Sequence, residues 1–352
     1  MHRKTLAALC AVAMTLALAA CGSSDDDSSA GSAAGGTTTA AKEQLKVGFF
    51  APTTTSTYYA AAERAAKRWA EQHGAQLTTV DITDPAKEAN QLQDAMAQGK
   101  FNGMVVLAIN GPALAPMLRE AKEEHGIDTV LVGSSVTPDQ ETPDPGVPWL
   151  AGRVMQPVVK RGEAIGKQVV DACAGIDPCK AAYLFNYAGQ PEEKAMIEAF
   201  HKTVEDHPNI KVLAERGPTL TARSQAASVT QDLLQAEPDI DVIAGVDQNM
   251  AGAEIALDKA GIGYGTGPGE VRLVGIGASR EGVEAVRAGK WFSTQISLPQ
   301  DEIEIALNIL KDAHDGRLTA PKGVDPTVGT EYPLILTKRE LERIDFRGQY
   351  SA

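Results

Sequence analysis

Aromatic residues make up only 5% of this 352-residue chain, against 43% hydrophobic residues in all. A core so short of rings is built from Val, Ile, Leu and Ala, the composition of strands buried on both faces of a parallel sheet. Basic residues are outnumbered as well, 33 to 46, for a formal charge of −13. Nucleic acid and anionic lipid both need a basic face that releases counterions, so neither is expected as a partner. Long apolar runs are missing too. The stretch from Leu6 to Ala20 is too short to span a bilayer as a stable helix.

Histidines number 6 and are dispersed, and His73 and His125 each precede a glycine, where an imidazole complements a helix C-terminus without catalytic work. Paired carboxylates for acid and base chemistry cannot be told from a solvated charged face at this level. The dinucleotide fingerprint fails: Gly275-Ile-Gly277 lacks its third glycine, Arg280 standing in that place. Gly261 to Gly269 follows a helix and precedes a strand, the reverse of a phosphate-binding order, and reads as a surface loop. No Walker-type lysine motif occurs. No catalytic residue, metal ligand or cofactor is therefore expected.

The first residues set the compartment. Arg3 and Lys4 lead into the apolar stretch, and residues 1–20 read as a signal peptide. It ends in Leu18-Ala19-Ala20-Cys21-Gly22, which resembles the lipobox of bacterial lipoproteins and implies a lipid on Cys21. Residues 21–44 are mostly Ser, Asp, Ala, Gly and Thr and read as a flexible tether. Cys173 and Cys179, in Cys-Ala-Gly-Ile-Asp-Pro-Cys, are a disulfide candidate in an oxidising compartment. A metal or redox use of that pair would lack the two-residue spacing of a zinc ribbon or thioredoxin-like site.

From Leu45 the chain alternates short apolar runs with helix-compatible segments. Lys46–Ala51, Gln76–Ile82, Gly103–Ala108 and Thr129–Val132 read as strands; Tyr58–His73, a segment capped by Asp84 and Pro85, and Ala113–Glu124 read as helices between and beside them. The Pro-rich stretch Pro138–Pro148 offers a first boundary. The rhythm then restarts and runs to Ala313, which predicts an α/β fold of two doubly wound parallel-sheet lobes. In such sheets a ligand sits beyond the carboxyl ends of the strands, where loops diverge and helix N-termini offer free amides. That rule selects Thr54, Ser56, Tyr58 and Tyr59 after the first strand, Asn110 after the third, and Ser134 and Ser135 after the fourth. In the second half it selects Tyr187, Gln190, Asp247, Asn249, Gly277 and Gln295. Apart from Asp247 these are uncharged, a set suited to a small, neutral, hydroxyl-rich ligand with an aromatic face against it.

Leu45-Lys-Val-Gly-Phe-Phe with Tyr58-Tyr59 and Gly74, then Asp84-Pro-Ala-Lys-Glu88, Gly103-Met-Val-Val, Pro238-Asp-Ile-Asp-Val-Ile243 running into Asp247, and Val274-Gly-Ile-Gly-Ala together resemble the type I periplasmic binding proteins of the ribose and galactose ABC-transporter group. The resemblance implies two lobes joined by a three-crossing hinge near Gln156, Ser297 and Val328. It assigns 45–156 plus 298–328 to an N-terminal lobe and 157–297 plus 329–352 to a C-terminal lobe. It implies that Tyr58 and Tyr59 stack on a sugar, that the Asp247 loop bonds hydroxyls and that Lys194 lies near the ligand. An Asp-Arg pair is expected where Ser134-Ser135 stand, and an aspartate where Gly277 stands, so the implied ligand widens from ribose to a polyol, a modified sugar or a similar small polar molecule. The implied protein is an exported monomer, held to the membrane only through its lipid, that presents ligand to an ABC permease. The same closure could instead be read by a receptor kinase or chemoreceptor.

Overall fold

The computed structural model describes residues 43–52, 56–82, 84–187 and 189–351. The expected signal peptide, Cys21 and nearly all of the tether lie outside them, as does Thr54. The chain begins with β1 (Lys46–Ala51), α1 (Thr57–His73), β2 (Gln76–Asp81), a 3-10 turn (Pro85–Lys87), α2 (Glu88–Ala97), β3 (Gly103–Ala108), α3 (Gly111–Glu123), β4 (Asp128–Gly133) and β5 (Gly152–Val154). There follow α4 (Val158–Ala172), β6 (Cys179–Leu184), α5 (Pro191–Val204), β7 (Ile210–Arg216), α6 (Arg223–Ala236), β8 (Val242–Val246), α7 (Asp247–Ala260), β9 (Arg272–Gly277), α8 (Arg280–Arg287) and β10 (Ser293–Ile296). It ends with α9 (Pro299–His314), β11 (Lys322–Val324), β12 (Ile335–Thr337) and α10 (Lys338–Leu341).

Two six-stranded sheets result, ordered β11-β5-β4-β3-β1-β2 and β12-β10-β9-β8-β6-β7. Every ladder is parallel except β10 with β12. In each sheet the strand order reverses beside the first strand of the lobe, at β1/β3 and at β6/β8, which opens a crevice at the carboxyl ends there. The chain crosses between lobes three times: from β5 to α4, from β10 to α9, and from β11 to β12.

Residues of β3 are buried throughout because helices cover both faces of the first sheet. Val47 and Phe49 of β1 pack with Ala62, Ala65 and Trp69 of α1 and with Ile303, Leu307 and Leu310 of α9. Phe50 points the other way, to Leu92 of α2 and Leu114 and Leu118 of α3, as the period of two requires. The second sheet repeats the scheme. Val158, Ile165 and Val169 of α4 with Met196 and Phe200 of α5 cover one face. Leu233 of α6, Met250 and Leu257 of α7 and Trp291 cover the other. Two tryptophans thus sit in the lobe cores, Trp69 in the first and Trp291 in the second, while Trp149 packs half-buried against the first.

Gly162 sets how closely α4 and α5 meet, because a Cβ there would lie 2.3 Å from the Met196 carbonyl oxygen. Gly162→Ala is expected to cost about 1–3 kcal/mol through forced separation of the two helices. A urea midpoint that does not fall would show that the pair has slack. Cys173 at the end of α4 is bridged to Cys179 at the start of β6, with Cα atoms 5.6 Å apart.

The Pro-rich stretch does not end the first lobe. The chain returns to the same sheet in β5, and the fully buried guanidinium of Arg153 pins the intervening loop, donating to the carbonyls of Gly133 (3.0 Å), Thr142 (2.9 Å) and Asp139 (3.3 Å). The short strands β5 and β11 have no apolar run to announce them, whereas β12 lies in Leu334-Ile335-Leu336; each of the three has three residues.

Candidate functional site

The carboxyl ends of the two sheets face one another across a cavity of about 140 Å3. The first lobe contributes Ser56, Tyr58 and Tyr59, with Ala108 and Gly133 at strand tips and Glu302 from α9. The second contributes Arg161, Asn186, Tyr187, Gln190, Glu192, Glu193, Gln248 and Gly277. Gln156 and Ser297 close it at two of the crossings, and Tyr350 enters beyond α10. The lobes touch directly, since Gln248 Nε2 donates to Thr57 Oγ1 at 3.2 Å.

Local rules explain how these side chains are aimed. Ser56 caps α1, its hydroxyl accepting from the Tyr58 amide at 3.3 Å, so two tyrosines enter the cavity in the first helical turn. Their rings meet edge to face with centroids 5.3 Å apart, and Tyr350 adds a third ring 5.6 Å from Tyr58. The Tyr58 hydroxyl donates to Glu302 Oε2. Glu302 stands in the first turn of α9, where the helix N-terminus favours a carboxylate. Burial dominates nonetheless and pushes its carboxyl up to about 7, against the opposing Tyr58 hydrogen bond and the charge of Arg161.

Arg161 reaches Glu192 at 2.7 Å and is the cavity's guanidinium among the described residues. Glu193 beside it is buried, accepting from Tyr183 Oη at 2.9 Å and from the Asn186 amide at 3.1 Å, and burial raises its pKa despite those bonds. The wall therefore offers aromatic faces, amides, hydroxyls, the compensated Arg161–Glu192 pair and the carboxyls of Glu193 and Glu302. Such a set holds a small polar molecule by hydrogen bonds and stacking. No histidine or cysteine lines it, among the described residues.

Of the residues expected at the strand tips, Ser56, Tyr58, Tyr59, Tyr187, Gln190 and Gly277 meet in the cavity wall. The others that the structure describes lie elsewhere. Ser134 Oγ accepts from the Gly111 amide at 3.2 Å, and Ser135 Oγ bonds Thr137, so both serve the loop that seats α3. Asn110 is exposed beside them, its amide held by Glu88 at 3.0 Å. Lys194 points to solvent and pairs loosely with Glu198 at 3.8 Å.

Asp247 is fully buried behind the wall, where it accepts from the Ser279 amide (2.6 Å), Ser279 Oγ (2.7 Å) and Thr294 Oγ1 (2.8 Å). Burial pushes its carboxyl up to about 6 even so. Asn249 is likewise internal, donating to Leu184 O at 3.0 Å and to Asn186 Oδ1 at 3.2 Å. It braces Asn186, which does reach the cavity. Gln295 is buried within the second sheet, and its neighbour but one, Ser297, takes the wall position.

Several contributors escaped the tip rule, among them Arg161, Glu192, Glu302 and Tyr350. The first three ride on the opening turns of helices, where Glu192 and Glu302 read as ordinary dipole partners. A signal was present at the second crossing, since Pro299 opens a helix whose first turn carries Asp301 and Glu302.

Residues 47–318 match a family profile described as periplasmic binding protein domain. The ribose import binding protein of Salmonella typhimurium is 25% identical over 252 residues, 70% of this chain and 78% of that protein. The xylitol-binding protein of Mycolicibacterium smegmatis is 27% identical over 228 residues, 64% of this chain and 59% of that protein. Among solved structures, an ABC transporter solute-binding protein from Mycobacterium smegmatis with bound glycerol superposes with a TM-score of 0.72 at 26% identity, covering 88% of this chain and 100% of that one.

Proposed function

Since the chain belongs to the periplasmic binding protein domain family, we propose that it captures a small sugar or polyol between its lobes and delivers it, chemically unchanged, to an ABC importer. The observation that carries this reading is the cavity at the facing sheet ends, floored by the Tyr58 and Tyr59 rings and edged by Asn186, Gln190, Gln248 and Ser297. A polyhydroxylated ligand stacks its apolar face on a ring and spends its hydroxyls on amides and carboxylates, which these residues supply. Relatives that import ribose or bind xylitol support that ligand class.

In this reading the N-terminal segment directs export, and Cys21 carries a lipid that holds the protein at the extracytoplasmic face, where a tether keeps it near its permease at high effective concentration. Among the described residues no helix is long and apolar enough to cross a membrane. The two lobes comprise 45–156 with 298–328 and 157–297 with 329–352, and closure adds contacts that the open form lacks.

A thermal-shift screen of D-ribose, xylitol, glycerol and a panel of hexoses tests the proposal. A ligand present at about 100 times its Kd should stabilise the native state by about 2.7 kcal/mol and raise the melting temperature accordingly. A flat response to every sugar and polyol, with a shift produced by a peptide instead, would overturn it.

A further inference from the structure

The segment Gly348–Ser351 lies across the seam between the lobes and grips both. On the second lobe the Arg280 amide, at the start of α8, donates to Tyr350 O at 2.8 Å. Gly348 there has φ +76 and backs so closely onto Ala278 that a Cβ would stand 2.6 Å from its carbonyl oxygen. On the first lobe Gln349 is held by the opening turn of α9. The Gln300 amide donates to Gln349 Oε1 at 2.8 Å, Gln300 Nε2 donates to Gln349 O at 2.7 Å, and Gln349 Nε2 donates to Asp301 Oδ2 at 2.7 Å. Thr57 Oγ1, at the start of α1, donates to Ser351 O.

Between these grips the Tyr350 side chain descends into the cavity, 2% exposed and edge-on to Tyr58. Its hydroxyl rests against the end of β9. A Cβ at Gly277 would lie 1.8 Å from that oxygen, so any side chain at position 277 excludes the ring. Gly277 is thus the residue that admits Tyr350. The cavity persists with the ring in place, so the ring bounds the space without filling it.

We propose that Gly348–Ser351 is a strap that completes its hydrogen bonds only when the lobes are closed, and that Tyr350 is a specificity-determining wall of the ligand site. The inference rests on the sugar or polyol reading for its ligand and deepens it. Bonds that join one segment to both lobes exist only in the closed state, so they shift the equilibrium toward closure and raise the apparent affinity for every ligand alike. The ring acts differently. It sets the depth of the cavity, so its removal changes which ligand fits.

Isothermal titration calorimetry with D-ribose, xylitol and glycerol separates the two roles. Gln349→Ala, which leaves the cavity wall intact, is expected to weaken all binding probes by a common factor of about three to ten. Tyr350→Ala should weaken the best probe by about tenfold and alter the rank order of the three, with Gly277→Ala, which displaces the ring, reproducing that rank. Equal or tighter binding in Tyr350→Ala and Gly277→Ala would overturn the wall assignment and make the ring a plug or a bystander. If no probe binds the unmodified protein, the sugar reading fails by itself. The strap is still decided by hydrogen exchange, which should quicken at the Gln300 amide in Gln349→Ala, and at both Gln300 and Arg280 when the chain stops at Arg347. Unchanged exchange at both amides would sink it.

Discussion

Arg161→Met is expected to lower folding stability by about 3 kcal/mol, the low end of the 3–5 kcal/mol range for stranding one member of a buried pair. The low end applies because the Arg161 and Glu192 side chains keep 20% and 17% of their surface, so water screens part of the loss. The guanidinium is what reconciles Glu192 with Glu302 across the cavity, since its charge favours ionisation of Glu302 while Glu192 opposes it. Urea unfolding followed by circular dichroism measures the effect. Removing both charges in Arg161→Met with Glu192→Gln should recover most of the stability, because no stranded carboxylate then remains in the pair. A loss below about 1 kcal/mol in the single variant would mean that Glu192 is as well solvated in the cavity as in the unfolded chain.

Glu302→Gln should flatten the pH dependence of stability near neutrality. The carboxyl of Glu302 is raised from 4.5 to about 7 in the folded protein, so the native state holds its proton more tightly than the unfolded chain does. Its contribution is fully present below about pH 4.5 and is lost as pH rises through about 7, an effect on the order of 3 kcal/mol for a shift of this size. Asp247, raised from 3.8 to about 6, acts in the same direction at lower pH. Scanning calorimetry of the unmodified protein should therefore give a higher melting temperature near pH 5 than near pH 8, with the neutral amide at position 302 removing the upper part of the slope. A melting temperature that climbs between those two pH values would contradict the assignment.

Much of this architecture is legible in the residues. Gly103-Met-Val-Val-Leu-Ala108 could only be a strand covered on both faces, and Ser56 before Tyr58 marks a helix start. What escaped reading was short or charged. Gly152-Arg153-Val154 carries an arginine that is tolerated inside only because three carbonyls receive it. No local pattern encodes so distant a compensation. Strand-tip logic reaches the neighbourhood of the cavity and not its individual members. Asp247, Gln248 and Asn249 open the same helix, yet successive residues turn by about 100° around its axis. Gln248 consequently faces the opening, while its neighbours bond the sheet and loops behind. Tyr350 joins the wall from a position that no strand tip predicts, because its placement depends on the missing side chain of Gly277.

The sorting of large rings has an optical consequence. Trp69 and Trp291 are buried in the interiors of the two halves and Trp149 packs half-buried against the first, while four of the seven tyrosines, Tyr58, Tyr59, Tyr187 and Tyr350, surround the opening. Emission from the indoles will accordingly report melting of each half separately, once either set is replaced by phenylalanine. It will respond weakly to capture of a guest, whose arrival is better followed through tyrosine absorbance in the near ultraviolet.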